Sequence, residues 1–347
     1  MKRGFTERMD KIFKLKEHKT NLKTELIAGL TSFFAAVYII VVNASILSDG
    51  GIAQGPLIIA TVLASFIGCL LIAIISNTPL VLMPGMGINA LFTYTIVLGM
   101  GLTFNQALGS VVMAGVLFLL IAITPLSKIL DKSIPNSLKE SITIGIGFFI
   151  TFLGLQKSGL IVSDPSTIVK IGDLSDPRIL FFIFIFILTV VLFAKNVPGN
   201  FLISIMAGTI IAIIFKFVDI SNLSFSLPKF EEYKNIFFNI DLSEILNIKF
   251  WISTFSLTLV LVFENIGLLH GQINGLLKSP QKQNKALNAI ALSTIGCGLL
   301  GTSPSVSTVE GTAGIAAGGK TGLTSLISGL LLLISLLFIL IMPLLTS

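Results

Sequence analysis

The 347 residues are 54% hydrophobic and only 12% charged, with 23 Lys and Arg against 17 Asp and Glu. A water-soluble globule of that composition lacks the polar groups to cover its surface, so the chain reads as an all-α polytopic membrane protein. The net charge of +6 fits basic loops on the inner face of a membrane and does not call for nucleic acid.

The first 25 residues carry eight Lys and Arg and no apolar stretch of signal-peptide length, so 1–25 reads as a retained cytoplasmic tail. At about 20 apolar residues per span, crossings fall at 26–47, 57–76, 85–99 and 105–124. After a basic cytoplasmic linker over 125–139 come 140–161, 178–195 and 199–217. A loop over 218–249, expected on the extracellular or periplasmic side, leads to 250–270, 286–300, 308–318 and 322–345. With the N-terminus inside a cell membrane, sixteen of the 23 Lys and Arg lie on cytoplasmic segments, the bias that orients such proteins. Cys69 and Cys297 fall inside apolar spans and read as small packing residues. The two histidines, His18 and His270, are too few and too far apart to hold a metal.

Two crossings are defective as lipid-facing helices. "NTPLVLMPGMGINALFTYT" sets Pro79, Pro84, Gly85 and Gly87 at membrane depth, and "GTSPSVSTVEGTAGIAAGG" does the same with Pro304 and a run of Ser, Thr and Gly. Neither sustains a continuous helix against lipid. Each reads as an extended arm followed by a half-helix, with breaks near Pro84–Gly87 and Ser305–Thr308. The two stand third in runs that start at crossings one and eight. That correspondence predicts a seven-crossing repeat whose second copy begins near Ile248 and is inverted, an arrangement that puts a transporter's binding site where the broken helices meet.

Glu264, in "LTLVLVFENIGLLHG", lies well below the membrane surface, where a carboxylate costs roughly 2.5–3.5 kcal/mol to insert and ordinarily serves a function. Its structural alternative is a bond to a hydroxyl such as that of Ser256 or Thr258. Glu310 falls in the first turn of the tenth crossing's half-helix, where it either caps backbone N–H groups or faces the site. In the third crossing, Gly87 lets a ligand approach the backbone, the N–H groups of Gly87, Ile88 and Asn89 open a helix, and the Asn89 amide both donates and accepts. Phe92, one turn on, lies near the pocket or in ordinary packing. Two carboxylates, backbone donors and an amide suit a flat heterocycle with ring N–H and carbonyl groups, and the carboxylates double as proton carriers.

"GIAAGGKT", Gly314 to Thr321, has the spacing of a phosphate-binding loop. Such a loop follows a buried strand in a soluble α/β domain, whereas this stretch closes an intramembrane half-helix. Its small residues are expected to serve helix packing, and no ATP, cofactor, metal or catalytic chemistry is expected.

"MPGMGINALF", "FENIGLL", "GTSPSVSTVEGTAGIAAGGKTGLTS" and the tail "IFKLKEHKTNLKTELIAGLTSFFAAVYIIVVN" together resemble the nucleobase:cation symporters, the purine, xanthine and uracil permeases. The adenine, guanine and hypoxanthine branch is the most similar, although Glu264-Asn265-Ile266-Gly267-Leu268 resembles the uracil and xanthine branches. The resemblance covers residues 12 to about 345. It implies proton-coupled uptake of a nucleobase by an elevator-like movement, with Glu264, Glu310, Gly87 and Asn89 at the site. It also implies fourteen crossings in two inverted repeats. A core then comprises 26–124 and 250–347, and a gate that also supports dimers comprises 140–217 together with crossings twelve to fourteen. Eleven crossings are counted here, so a homodimer or a partner chain is expected to complete the gate. The competing expectations are a sulfate or dicarboxylate carrier of related fold, and a non-transporting remnant or assembly subunit.

Overall fold

The computed structural model describes residues 2–126, 129, 136–165, 167–195, 197, 200–217 and 230–337. The tail is more than a basic extension. Helix α1 (Lys2–Phe13) precedes a turn whose Phe13 and Leu15 are buried against Ala73 and Leu323. The first crossing is α2 (Leu22–Ala36) followed, after a step at Val37, by α3 (Tyr38–Ser48). Asn21 starts it by accepting the Thr24 N–H at 2.9 Å, the usual device for satisfying a first-turn donor. Helix α4 (Gln54–Ile75) is apolar all round and buried on most sides, as such a helix must be.

The third crossing begins as the short strand β1 (Leu82–Pro84), turns at Gly85 into α5 (Met86–Ala90), and continues as a π-helical stretch over Leu91–Gly99. Helix α6 (Phe104–Ile123) is closed at its start by Thr103 and Gln106, which exchange side-chain and backbone bonds. Then come α7 (Asn136–Lys157), an unforeseen hairpin of β2 (Ile161–Asp164) and β3 (Ile168–Ile171), α8 (Pro177–Ala194), α9 (Asn200–Ile214) and the single turn α10 (Phe230–Tyr233). In the second half, α11 (Ile248–Leu269) runs on as a π-helical turn over His270–Leu276, and α12 (Gln283–Leu300) ends at Gly301 in the left-handed region. The tenth crossing is strand β4 (Ser305–Ser307), a 3-10 turn over Val309–Gly311 and α13 (Thr312–Ala316). The eleventh is α14 (Gly322–Ser335); the remainder of the expected span, 338–345, lies outside the described residues, as do most of the expected linker over 125–139 and residues 218–229 of the expected loop.

Five helices among the described residues are long and apolar enough to cross a membrane. One buried core joins the two halves of the chain: α4 lies against α12 and α14, and α6 against α12 and α11. At its centre β1 and β4 pair antiparallel, Met83 opposite Val306. All six paired residues are buried. The ladder is extended at both ends, where Gly85 N–H donates to Pro304 O at 3.2 Å and Thr308 N–H donates to Val81 O at 3.0 Å. Extended backbone inside an apolar bundle has no water to bond, so the two interrupted crossings satisfy each other. By contrast α8 buries only Ile179 and exposes Phe184, Phe186, Ile187 and Val190, the surface of a helix that faces lipid.

Candidate functional site

The crossed arms carry most of the polar side chains that sequence reasoning singled out. Asn89 is fully buried, with its backbone N–H donating to Gly85 O at 2.9 Å. Its Oδ1 accepts from Ser303 Oγ at 2.5 Å, while its Nδ2 has no partner. Ser303 Oγ also lies 3.2 Å from Asn43 Oδ1. Asn43 Nδ2 in turn donates to Thr61 Oγ1 at 2.6 Å and Thr302 Oγ1 at 3.1 Å. This buried amide and hydroxyl network fixes the approach of the β4 arm to α3, α4 and α5. Half of the Asn89 amide is therefore committed to the frame and half is left free to donate.

Gly87 and Ile88 lie in the first turn of α5 and are buried. No backbone bond among the described residues takes up their N–H groups. The Ile88 side chain belongs to the core, so only its backbone is available to a ligand. Phe92 is fully buried and packs edge-to-face on Phe104, with ring centroids 5.2 Å apart. Of the two readings offered for Phe92, this contact is the one of ordinary packing.

Glu264 lies on α11. Its Oε2 is buried and has no hydrogen-bond partner. Of the hydroxyls named as structural partners, that of Thr258 donates instead to Thr254 O at 2.8 Å. The next residue, Asn265, faces β4: its Oδ1 accepts the Ser307 N–H at 3.1 Å and its Nδ2 donates to Leu261 O at 2.9 Å. Seven residues on, two helical turns away, Gln272 Nε2 donates to Thr308 O at 2.8 Å and its Oε1 accepts from Ser307 Oγ at 2.6 Å. Two amides of α11 and its extension thus clamp the end of β4, and the unpaired carboxylate stands beside one of them. Two amides seven residues apart on one apolar helix, Asn265 and Gln272, are a signal that the sequence carried and that was not foreseen.

Glu310 sits in the 3-10 turn after β4. Its Oε1 accepts the Tyr38 hydroxyl at 2.5 Å, so it caps no backbone donor among the bonds described. Tyr38 opens α3 at the step in the first crossing, and a half-buried phenol needs such a partner. It was not foreseen.

Nucleotide-loop letters at Gly314–Thr321 have another occupant. The carboxylate of Glu25, fully buried on α2, accepts the N–H groups of Lys320 at 3.0 Å and of Thr321 and Thr324 at 3.3 Å. The hydroxyls of Thr321 and Thr324 complete the set at 2.9 and 2.6 Å. An internal carboxylate caps α14 where a phosphate would sit. Gly314, Gly319 and Gly322 are packing residues: a methyl group on Gly322 would lie 2.4 Å from the Ala73 carbonyl oxygen. Cys69 and Cys297 are buried free thiols, as their positions in apolar spans imply.

No group of His, Cys, Asp and Glu among the described residues is arranged to hold a metal ion. Among the described residues the structure thus holds an unpaired carboxylate oxygen on Glu264, a free amide N–H pair on Asn89, first-turn N–H groups at Gly87 and Ile88, and a Tyr38–Glu310 pair.

A solved structure with a similar fold is the transmembrane domain of a cyanobacterial bicarbonate transporter, BicA, at a TM-score of 0.68 and 19% identity over 91% of this chain and 83% of that one. Among curated proteins, the nucleobase transporter PlAzg2 of Paenibacillus larvae is 45% identical over 315 residues, 90% of this chain and 63% of the relative. The guanine/hypoxanthine permease PbuO of Bacillus subtilis is 38% identical over 94% of this chain and 77% of its own length. Adenine permease AdeQ of Escherichia coli is 33% identical over 95% and 75%. The chain thus spans less than two thirds of PlAzg2 and about three quarters of the other two. The sequence profile of the Permease family, Xan_ur_permease, matches residues 23–347, and with these relatives beside it the chain belongs to that family.

Proposed function

We propose that the chain takes part in the uptake of a nucleobase, a purine such as hypoxanthine, guanine or adenine, across a cell membrane by proton symport. The observation that carries this reading is the unpartnered, buried Glu264 Oε2 on α11, the helix whose next residue, Asn265, holds β4. A purine edge alternates ring N–H and carbonyl or imine acceptors. Glu264 accepts a ring N–H, while the Asn89 amide and the N–H groups of Gly87 and Ile88 donate to the acceptors. Phe92 braces this segment through Phe104. Glu264 and Glu310 carry the coupled proton, Glu310 in concert with the Tyr38 hydroxyl. The likeness to PlAzg2, a nucleobase transporter, PbuO, a guanine/hypoxanthine permease, and AdeQ, an adenine permease, supports the substrate class.

The packing also supports the seven-crossing inverted repeat. If crossing n corresponds to crossing n + 7, the contact of α4 with α14 is the counterpart of the contact of α12 with α6, and β1 with β4 is its own counterpart. In this reading α2–α6 and α11–α14 form a carrier core that moves against a gate of α7–α9, with the N-terminus cytoplasmic. The anion-carrier alternative rests on likeness of fold alone, at 19% identity to the BicA domain, and the family match favours a nucleobase.

The test is accumulation of radiolabelled hypoxanthine, guanine, adenine and uracil by cells expressing the chain, with membrane content measured in parallel. Glu264→Gln and Glu310→Gln are each expected to abolish accumulation at unchanged membrane content, and collapse of the proton gradient to abolish it in the parent. Undiminished uptake in both variants overturns the site.

A further inference from the structure

Away from the crossed arms, a cavity of about 330 Å³ opens where the tail meets the ends of α11 and α13. His18, Lys19, Ser279, Lys282, Gly319 and Lys320 line its polar side, and Leu276, Leu277 and Ile315 its apolar side. The volume is that of a small-molecule site. Its charge is unbalanced. Among the described residues no carboxylate lies within 4.0 Å of the Lys282 or Lys320 ammonium. The acid at the rim, Glu17, is paired with Lys14 at 3.1 Å. Glu25 is spent on the backbone N–H groups of α14.

The lysines are held in place by neutral partners. Lys282 Nζ donates to Asn77 O at 2.7 Å and to His18 Nε2 at 3.3 Å, which requires the imidazole to be neutral at that nitrogen. Lys320 Nζ donates to Lys19 O at 3.3 Å. Each ammonium has three donors, so at least one on Lys282 and two on Lys320 remain. Burial holds the Lys282 amine below its ordinary range, Glu17 and Glu25 opposing the depression from a distance and Lys285 and Lys14 adding to it.

We propose that this cavity binds a phosphate group, held between Lys282 and Lys320 and bridging the tail to the start of α14. Two ammonium groups with no carboxylate within ion-pair distance, a hydroxyl at Ser279 and a wall of Leu and Ile match a phosphate group that carries an apolar substituent. Two sources carry that chemistry: an anionic phospholipid at the membrane surface and a soluble phosphate. The inference is independent of what the centre of the bundle transports.

The experiment uses the full chain, purified and placed in phosphatidylcholine nanodiscs, with thermal unfolding as the readout. One arm adds sodium phosphate against sodium chloride at equal ionic strength. The other replaces phosphatidylcholine with phosphatidylglycerol. A saturable rise in the midpoint is expected in at least one arm, the first identifying a soluble phosphate and the second a lipid headgroup. The double substitution Lys282→Gln with Lys320→Gln is expected to remove the rise, and Lys320→Gln alone to raise the half-saturating concentration about tenfold. Lys320→Gln leaves the backbone bond to Glu25 intact, so it carries the test even where loss of Lys282 impairs folding. The proposal is overturned if neither arm exceeds the chloride control, or if the rise is undiminished in Lys320→Gln and in every folded variant.

Discussion

Replacing Glu25 by Ala removes the acceptor for three backbone N–H groups and two hydroxyls at the start of α14. Not all of these are left stranded. The Thr321 hydroxyl can turn, the Thr324 hydroxyl retains Glu25 O at 3.4 Å, and the exposed Lys320 admits water to its N–H. Thr324 keeps its N–H bond to Thr321 O at 3.2 Å, so the fully buried Thr321 N–H is the donor left stranded, at about 1–3 kcal/mol. Adding the lost attraction of the carboxylate for the helix N-terminus, about 0.5–1 kcal/mol, gives about 3 kcal/mol in all. That is roughly a hundredfold in the unfolding equilibrium. Glu25→Gln keeps one oxygen but turns an amide N–H₂ toward other donors, and about half the loss is expected. The assay is reversible unfolding in mixed micelles titrated with dodecyl sulfate. Glu17→Ala serves as the control, since its pair with Lys14 is solvent-exposed and worth less than about 0.5 kcal/mol. A Glu25→Ala chain within about 0.5 kcal/mol of the parent refutes the reasoning, because it means that the buried Thr321 N–H finds a partner elsewhere.

Gly322→Ala sets a methyl group 2.4 Å from Ala73 O and 2.6 Å from Ala73 Cα; α4 and α14 must part, and a loss of about 1–3 kcal/mol is expected in the same assay. Gly296→Ala, with no atom within 4 Å of the new carbon, is expected to be neutral or stabilising by up to about 1 kcal/mol. Acidification acts on the tail through His18, whose pKa is held below its ordinary 6.5 by burial and by Lys282, with Lys14 adding to the depression and Glu17 and Glu25 opposing it. A depressed histidine binds its proton later in the folded state than in the unfolded one, so docking of the tail is complete above pH 6.5 and weakens as pH falls below it. Hydrogen exchange over Lys16–Asn21 is expected to quicken between pH 7 and 5 beyond its intrinsic trend, and His18→Gln to abolish that step; an unchanged step in the variant removes His18 as the cause.

The interrupted crossings were legible because their signals are local. Pro84, Gly85 and Pro304 forbid a continuous helix wherever they stand, and the apolar runs around them set most span limits within a few residues of the helices observed. The two carboxylates were legible for a similar reason, since an acid in an apolar run is conspicuous by itself. What pairs with what was not. Glu25 reads as a tail residue until its partners, some 295 positions later, are brought to it by the packing of α14 on α2. Tyr38 lies 272 positions from Glu310, and Asn43, Asn89 and Ser303 meet only once both arms are folded. Asn265 and Gln272 carried a readable spacing, but their purpose depends on an extended segment for which no helical period argues. The hairpin over Ile161–Ile171 was hidden by its neighbourhood, because a few alternating residues after a long apolar run read as the end of the span.

The pairing of β1 with β4 also sets an order of events during synthesis. Pro84 and its partner Ser305 are separated by about 220 residues, which at about 5–20 residues per second is some 10–45 s of translation. Over that interval Leu82–Pro84 has emerged while the strand that satisfies its backbone has not been made. An extended arm with open N–H and C=O groups cannot rest in lipid, so crossing three must wait at the water interface or in the shelter of the insertion machinery until crossing ten arrives. The first four crossings are then an unfinished assembly, and release of the nascent chain before Ser307 leaves a ready edge for the wrong strand.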